Sequence, residues 1–255
     1  MGLRGAVSLP MYPFPELRAD WDALWSAVHR RRPGSRATLA WTDDVHTLWS
    51  SPDLGLSQTC GWPLVTDLAG TVRAIGAFDP MIEDASGGHY RSVIVARRAA
   101  PLADLAGRVA AVNAADSLSG WISLLAAFHS AGVPWHGSVI TTGAHVRSIA
   151  SVRDGTADLA SIDAVTFALF GDLHPEDVRD LTVVGRGPLV PCLPLIVPGT
   201  ATHDDVEAWR TAFAGACNDP ATEGTRRRLR IRGFSAVDDR DYASLTDLAS
   251  SLGDH

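Results

Sequence analysis

The chain has 255 residues, of which 46% are hydrophobic and 20% charged, and its formal net charge at pH 7 is -7. This length and composition are typical of a globular protein with two domains, and the negative charge argues against nucleic acid or an anionic membrane as partner. All 22 basic residues are arginine, which excludes chemistry that depends on a lysine, such as a Schiff base or a P-loop phosphate site.

The N-terminal sequence predicts neither a signal peptide nor a membrane anchor. An apolar strand begins at Ala6, with no charged segment and long apolar run before it. No other apolar run is long enough to cross a bilayer. Three cysteines, Cys60, Cys192 and Cys217, are too widely spaced for a disulfide framework or a CxxC metal motif. We therefore expect a cytoplasmic protein without membrane insertion, or a periplasmic one if a signal segment has been removed.

Apolar runs alternate with helical patterns from the start of the chain. Strands are predicted at 6–11, 38–42, 53–57 and 72–78, and an amphipathic helix at 15–32. The following part continues with strands 90–96, 108–113, 138–142, 159–163 and 181–185, and with helices that begin near Ser117, Ala144 and Ala164. Helices at 204–217, 220–230 and 241–252 complete the chain. This alternation favours βα units and mainly parallel sheets.

The order of the elements predicts two α/β lobes that are joined by a hinge and enclose a central cleft. The chain is expected to cross between them near Ser92 and near Val184. Residues 1–92 and 184–255 would then form lobe 1, and residues 93–183 would form lobe 2. In open α/β sheets a ligand binds beyond the carboxyl ends of the strands, which is where the candidate site residues fall.

The most informative segment ends a strand and opens a helix with Ser117, Ser119 and Gly120. Free amides and the helix dipole make such a start an anion site, and a glycine allows a close approach. The alternative is simple N-capping by one of the serines. His145 begins another helix, where a neutral imidazole is expected, and is either a ligand contact or a capping residue.

Other candidate ligand contacts also lie at strand ends. Tyr12 follows the first strand, Gln58 and Thr59 follow the third, and Tyr90 opens the strand at the first crossing. Tyr90 is either a hydroxyl donor to an anion or a packing residue at the hinge. Asp163 ends a strand facing the expected cleft, where a carboxylate would repel phosphate unless the ligand brings an ammonium group or a proton.

Four segments, in this order, resemble the phosphate/phosphite/phosphonate-binding (PhnD-like) family of ABC-transporter solute-binding proteins. They are YRSVIVAR at 90–97, LAGRVAAVNAADSLSG at 105–120, TTGAHVRSIASVRDGTADLASID at 141–163 and PCLPLIVP at 191–198. The resemblance covers about 9–198 and implies the type II periplasmic-binding-protein fold. It also implies that the serine-rich helix start holds the phosphonate or phosphate oxygens, that His145 lies in the ligand site, and that a carboxylate such as Asp163 takes the amine of an aminoalkylphosphonate.

One position departs from the resembling family. Asp44, in TDDVH, stands where exported relatives tend to have an aromatic residue, which suggests a ligand with a cationic or hydroxyl-bearing part. The favoured function is therefore binding of a small anionic or zwitterionic solute in the cleft, without catalytic residues, cofactor or metal. An enzyme on the same fold, with Asp44, His145 or Asp163 as acid–base groups, and a cytosolic ligand sensor with a protein partner remain the alternatives.

Overall fold

A computed structural model describes residues 5–42, 44–83 and 85–252. Contacts between residues divide the chain into two compact units. Unit 1 contains the residues up to His89 together with Pro191–Ser244, and unit 2 contains Tyr90–Val190 together with the segment from Leu245 onwards. The expected lobe 1 included all of 184–255, but residues 184–190 and the segment from Leu245 group with unit 2. Leu252 lines the same groove as Leu125, which explains the assignment of the last helix.

In the part of the chain that the structure describes, short strands and helices alternate. The strands are β1 (Ala6–Val7), β2 (Leu54–Gln58), β3 (Val72–Pro80), β4 (His89–Tyr90), β5 (Ser92–Ala96), β6 (Val109–Val112), β7 (Ser138–Thr141), β8 (Leu159–Asp163), β9 (Thr182–Arg186), β10 (Val190–Pro191), β11 (Pro194–Pro198) and β12 (Ile231–Ser235). The α-helices are α1 (Arg18–Arg31), α2 (Val45–Trp49), α3 (Gly61–Val65), α4 (Leu102–Leu105), α5 (Ser123–Ser130), α6 (His145–Arg153), α7 (Ala164–Leu173), α8 (Pro175–Val178), α9 (His203–Cys217), α10 (Glu223–Arg228), α11 (Asp239–Tyr242) and α12 (Ser244–Ser251). None of the helices among these residues is long and apolar enough to cross a membrane.

Unit 1 is built on a five-stranded sheet in the order β1-β2-β11-β3-β12. β1 and β2 are parallel, whereas β11 runs antiparallel to β2 and β3, and β12 runs antiparallel to β3. Helices α1 and α9 pack against each other. Their apolar faces bring together Trp25 and Trp209, and Phe213 packs against Phe78 of β3. These large buried rings form the centre of the unit's core.

Unit 2 has its own five-stranded sheet in the order β7-β6-β8-β5-β9. β6 is parallel to β7 and β8, and β5 is antiparallel to β8 and β9. Because Ser92, which begins β5, lies opposite Asp163, which ends β8, the carboxyl ends of β6, β7 and β8 meet the start of β5 at one edge. Phe128 of α5 belongs to the core cluster on one face of the sheet, and Ile149 of α6 belongs to the cluster on the other.

The expectation of mainly parallel sheets is wrong for β5, β11 and β12, which run antiparallel to their neighbours. β5 and β11 follow the points where the chain passes from one unit to the other, and each joins its new sheet in the reversed direction. The predicted strand at 6–11 is shorter than expected, since Pro10 has no amide hydrogen for a ladder. The predicted strand at 38–42 is also wrong, and only the Ala40 amide bonds to Val7.

The sequence patterns missed several elements, among them α3, β12 and β11, which is the central strand of the unit 1 sheet. The residues after Gln58 lead into helix α3, whose five residues are too few to show helical periodicity. Strand β12 was hidden between predicted helices because its IRGFS sequence carries an arginine and a glycine. The predicted helices over 15–32 and 204–217 are confirmed by α1 and α9.

Candidate functional site

The segment after β6 begins with a wide π-helical turn over Leu118–Ile122, before α5 continues the helix. The amide of Ile122 donates to the Ser117 carbonyl at 3.1 Å, which is the spacing of a π-turn. The Ser117 side chain caps this turn, because its Oγ accepts a hydrogen bond from the Gly120 amide at 3.0 Å. The capping alternative is therefore confirmed for Ser117, and the Gly120 amide is already engaged. The Ser117 hydroxyl hydrogen remains available to donate.

Ser119 connects the π-helical turn to the start of α6. Its Oγ lies 2.8 Å from His145 Nε2 and 3.5 Å from Ser117 Oγ, so two hydroxyls and an imidazole form one cluster. Ser161 of β8 holds the backbone at this point, because its buried hydroxyl donates to the Ser119 carbonyl at 2.7 Å. Ser161 was missed in the sequence, where a serine within an apolar strand gives no signal of its own.

Burial lowers the pKa of His145 below its ordinary value of 6.5, while the negative charge of Asp163 acts in the opposite direction. The imidazole is therefore neutral at pH 7, as its place at a helix start predicts. In the tautomer with the proton on Nε2, His145 donates to Ser119 and leaves the Ser119 hydroxyl hydrogen free for a ligand. The His145 Nδ1 atom is buried and has no hydrogen-bond partner among the described residues.

Asp163 is the charged centre of the same sheet edge and is only 3% exposed. Its Oδ1 accepts from the Thr166 amide at 2.7 Å and caps α7, and its Oδ2 accepts from the Tyr90 hydroxyl at 2.6 Å. The Tyr90 proton thus points at Asp163 in this structure and not at a ligand. Both carboxylate oxygens already have a donor from the chain, which fixes the carboxylate in position.

Asn113 and Gly120 complete the wall beside the serines. The Asn113 carbonyl accepts from the Gly143 amide at 2.8 Å, which ties the turn after β7 to the end of β6. A Cβ atom on Gly120 would lie 2.2 Å from Asn113 Oδ1 and 3.2 Å from Ser117 Oγ, so only glycine fits there without a shift. Asn113 was missed in the sequence, although a polar residue directly after a buried strand is the signal that identified the other candidates.

In unit 1, the candidates at the end of β2 are buried. Gln58 is 1% exposed and Thr59 is fully buried, and Gln58 Oε1 and Thr59 Oγ1 have no hydrogen-bond partner within the described chain. Ser8 directly follows the neighbouring strand β1, and its amide donates to the Leu56 carbonyl. Its buried Oγ likewise has no hydrogen-bond partner among the described residues. Sequence reasoning missed Ser8. Within the described chain, three polar side chains at the ends of two adjacent parallel strands thus have an oxygen without a hydrogen-bond partner.

The other two unit 1 candidates have different surroundings. Asp44 is exposed and caps α2, accepting from the Thr47 amide at 3.0 Å and from the Thr47 hydroxyl at 2.6 Å. These hydrogen bonds lower the pKa of the Asp44 carboxyl below 3.8, and the bond from the Thr47 hydroxyl contributes most. Tyr12 lies in the turn after β1 and is buried.

The structure therefore brings together six of the ten candidates, Ser117, Ser119, Gly120, His145, Tyr90 and Asp163, at one edge of the unit 2 sheet. Tyr12, Asp44, Gln58 and Thr59 belong to unit 1. The edge in unit 2 offers hydroxyl donors and a neutral imidazole, a set suited to holding an oxyanion. A group with metal-ligating side chains, His174, Glu176 and Asp177, lies apart at α8, where Asp177 pairs with Arg153.

Comparisons with known proteins identify the family and the fold of the chain. The family model described as an ABC transporter, phosphonate, periplasmic substrate-binding protein matches residues 51–242. No curated protein matches the chain at a significant level. Among solved structures, the binding protein component of an ABC phosphonate transporter from Pseudomonas aeruginosa superimposes with a TM-score of 0.77 at 14% identity, covering 97% of this chain and 87% of the other.

Two further solved structures have the same architecture. PhnD1 from Prochlorococcus marinus, in complex with methylphosphonate, superimposes with a TM-score of 0.76 at 13% identity and 97% coverage of both chains. The alkanesulfonate-binding protein SsuA from Xanthomonas axonopodis pv. citri, bound to MOPS, gives a TM-score of 0.64 at 14% identity, covering 98% of this chain and 93% of the other. The predicted type II periplasmic-binding-protein fold is thereby confirmed.

Proposed function

Because this chain is a solute-binding protein of the phosphonate ABC-transporter family of periplasmic substrate-binding proteins, we propose that its solute is a small oxyanion of the phosphonate or phosphate class. The oxyanion binds at the Ser117–Ser119–His145 cluster of unit 2 and leaves unchanged. The observation that carries this proposal is the Ser119 hydroxyl, which lies 2.8 Å from His145 Nε2 on a turn capped by Ser117.

The chemistry of this cluster favours binding over catalysis. A serine activated for attack needs a base whose second nitrogen is oriented by a third group, and His145 Nδ1 has no such partner among the described residues. The carboxylate that would take that place, Asp163, is committed to Tyr90 and Thr166. The two neighbouring hydroxyls of Ser117 and Ser119 can instead provide charge-assisted hydrogen bonds to the oxygens of a phosphonate.

Asp163 favours an amine on the ligand as a second feature. Its carboxylate is 3% exposed, and its described hydrogen-bond donors are a neutral hydroxyl and a neutral amide. A buried negative charge is stabilised most effectively by a positive one. An aminoalkylphosphonate would supply an ammonium group to Asp163 and oxygens to the serines. We therefore expect it to bind more tightly than phosphate, and Asp163→Asn to reduce the difference.

The test is isothermal titration of methylphosphonate and phosphate into the wild-type protein and the Ser117→Ala/Ser119→Ala double variant. Loss of two charge-assisted hydrogen bonds should weaken binding by roughly 2–5 kcal/mol. Ser151→Ala, which removes a half-buried hydroxyl that donates to the Arg147 carbonyl within α6 of the same unit, is the matched control and should bind like wild type. Unchanged affinity in the double variant would refute the proposed site, and conversion of the bound compound, followed by ³¹P NMR, would favour the enzyme alternative.

A further inference from the structure

A hydrogen-bond acceptor without a partner lies beside the hydroxyl donors of unit 2. Asn113 Oδ1 is buried and accepts no hydrogen bond from the described residues. Its position relative to the serines is fixed through Gly120, since a Cβ atom on Gly120 would meet both Asn113 Oδ1 and Ser117 Oγ. Asn113 Oδ1 and Ser117 Oγ therefore lie beside Gly120, 2.2 Å and 3.2 Å from the position of that Cβ atom. A buried carbonyl oxygen that accepts no hydrogen bond lowers the stability of the folded protein. A ligand that donates a hydrogen bond to this oxygen would remove that loss.

The backbone of Asn113 cannot easily move this acceptor elsewhere. Asn113 directly follows the buried strand β6, and its own carbonyl receives the Gly143 amide at 2.8 Å. In the π-helical turn, the Ser119 carbonyl accepts a hydrogen bond from the Ser161 hydroxyl at 2.7 Å. The two segments that carry the acceptor and the hydroxyls are thus both anchored to the sheet. An acceptor that is fixed in position in this way favours a ligand that carries a proton it can donate to the acceptor.

The common oxyanions differ in whether they carry such a proton. A sulfonate is fully ionised at neutral pH and presents only acceptor oxygens, which would face Asn113 Oδ1 without a shared hydrogen. A phosphoryl group loses its second proton near neutral pH, so its monoanion carries both acceptor oxygens and one hydroxyl. The hydroxyl can donate to Asn113 while the remaining oxygens accept from Ser117 and Ser119. An unpaired buried polar group is the strongest means of rejecting a close analogue.

We propose that Asn113 is a specificity-determining residue whose Oδ1 accepts the hydroxyl proton of a monoprotonated phosphonate or phosphate, so that the site excludes sulfonates of the same shape. This inference rests on the proposed function and names the protonation state of its ligand. It assigns a ligand contact to a residue next to the serine cluster. It also explains why an anion site here contains a buried acceptor.

The experiment compares methylphosphonate with methanesulfonate, which have the same shape and differ in the proton. The groups that face this site and titrate are His145 from α6, Asp163 from β8 and Tyr90 before β5. In the ligand-free protein burial lowers the pKa of His145 below 6.5, so its neutral imidazole predominates over the range from about pH 6.5 to pH 9. Over this range the wild-type affinity for methylphosphonate should fall by up to about tenfold for each pH unit above the second ionisation of the ligand. Methanesulfonate should bind at least about 100-fold more weakly at pH 6.5.

Asn113→Leu, which keeps the size but removes the acceptor, should reduce the preference for methylphosphonate over methanesulfonate by at least about tenfold and flatten the pH dependence. Asn218→Leu, the same substitution at an exposed position in unit 1, is the control and should change neither. Asn113→Asp keeps an acceptor and should retain the preference. If Asn113→Leu does not fold, the ³¹P shift of methylphosphonate bound to wild type at pH 9 decides: the monoanion shift supports the proposal.

The outcomes separate the two proposals. If neither methylphosphonate nor phosphate binds the wild-type protein, the proposed function is wrong. If methylphosphonate and methanesulfonate bind equally, or bound methylphosphonate shows the dianion shift, the role of Asn113 is overturned. In that second case the oxyanion site at Ser117 and Ser119 stands.

Discussion

Both units place polar residues at the carboxyl ends of parallel strands, but the hydrogen bonding of these residues differs between the units. In unit 2, Ser119, His145, Tyr90 and Asp163 are joined to other residues by hydrogen bonds of 2.6–2.8 Å. In unit 1, the side-chain oxygens of Gln58, Thr59 and Ser8 are buried without a partner in the described chain.

The difference shows which polar side chains are held in position by hydrogen bonds within the chain and which are not. A group that is already hydrogen-bonded loses little freedom when a ligand arrives, so the edge of unit 2 is preorganised. A buried hydroxyl without a partner lowers stability until something satisfies it. We therefore expect substitutions at the unit 2 edge to destabilise the fold, and equivalent substitutions at the unit 1 edge to affect stability little.

The largest effect should come from removing Asp163, the N-cap of α7. Asp163→Ala leaves the Tyr90 hydroxyl and the Thr166 amide without an acceptor and removes the cap of α7. We expect the free energy of unfolding, measured with urea, to fall by about 3–5 kcal/mol. Asp44→Ala removes an exposed cap in unit 1 and should have a clearly smaller effect. Equal losses in the two variants would mean that the unit 2 network contributes nothing beyond capping.

The next effect compares two glycines. Gly120→Ala forces a methyl group against Asn113 Oδ1 and should lower the free energy of unfolding by about 1–3 kcal/mol. Gly224 lies in α10 of unit 1, with no atom within 4 Å of the position of a Cβ atom. Gly224→Ala should therefore stabilise the protein by about 0.5–1 kcal/mol, because alanine restricts the unfolded chain. Thermal unfolding of both variants would show whether Gly120 is required sterically.

Residue patterns identified the site in unit 2 better than they identified its hydrogen bonds. The serine-rich turn, His145 and Asp163 are visible because polar residues follow apolar strands at regular intervals. The pairing of Tyr90 with Asp163 is not visible, since it depends on β5 running antiparallel to β8, whereas a parallel sheet was expected. Ser161 and Ser8 were missed because a single serine in an apolar run is also common in cores.

A smaller effect should distinguish a bonded from an unbonded hydroxyl. Ser161→Ala removes a donor and leaves the Ser119 carbonyl without it, so the free energy of unfolding should fall by about 1–2 kcal/mol. Thr59→Val replaces a buried hydroxyl that has no hydrogen-bond partner among the described residues with a methyl group of the same size. This change should leave stability equal or higher in the absence of ligand. A loss in Thr59→Val as large as in Ser161→Ala would show that Thr59 has a partner in solution.

The smallest effect concerns the pH dependence of stability. Burial lowers the pKa of His145 in the folded protein below 6.5, the value expected in the unfolded chain, so the unfolded state binds the proton more readily. The stability that this group contributes is complete above about pH 6.5 and is lost as the pH falls from there towards the folded-state pKa. Within that window the loss is at most about 1.4 kcal/mol for each pH unit.

His145→Gln should remove this part of the dependence, so that the free energy of unfolding of the variant declines less than that of wild type between about pH 7.5 and pH 5.5. His203→Gln, at the exposed start of α9 in unit 1, is the matched control and should follow the wild-type profile. A bound oxyanion should oppose the effect, because its negative charge beside Ser119 favours the protonated imidazole. Parallel profiles for wild type and His145→Gln would mean that His145 is as accessible to protons in the folded chain as in the unfolded one, and the neutral cluster of unit 2 would have to be reconsidered.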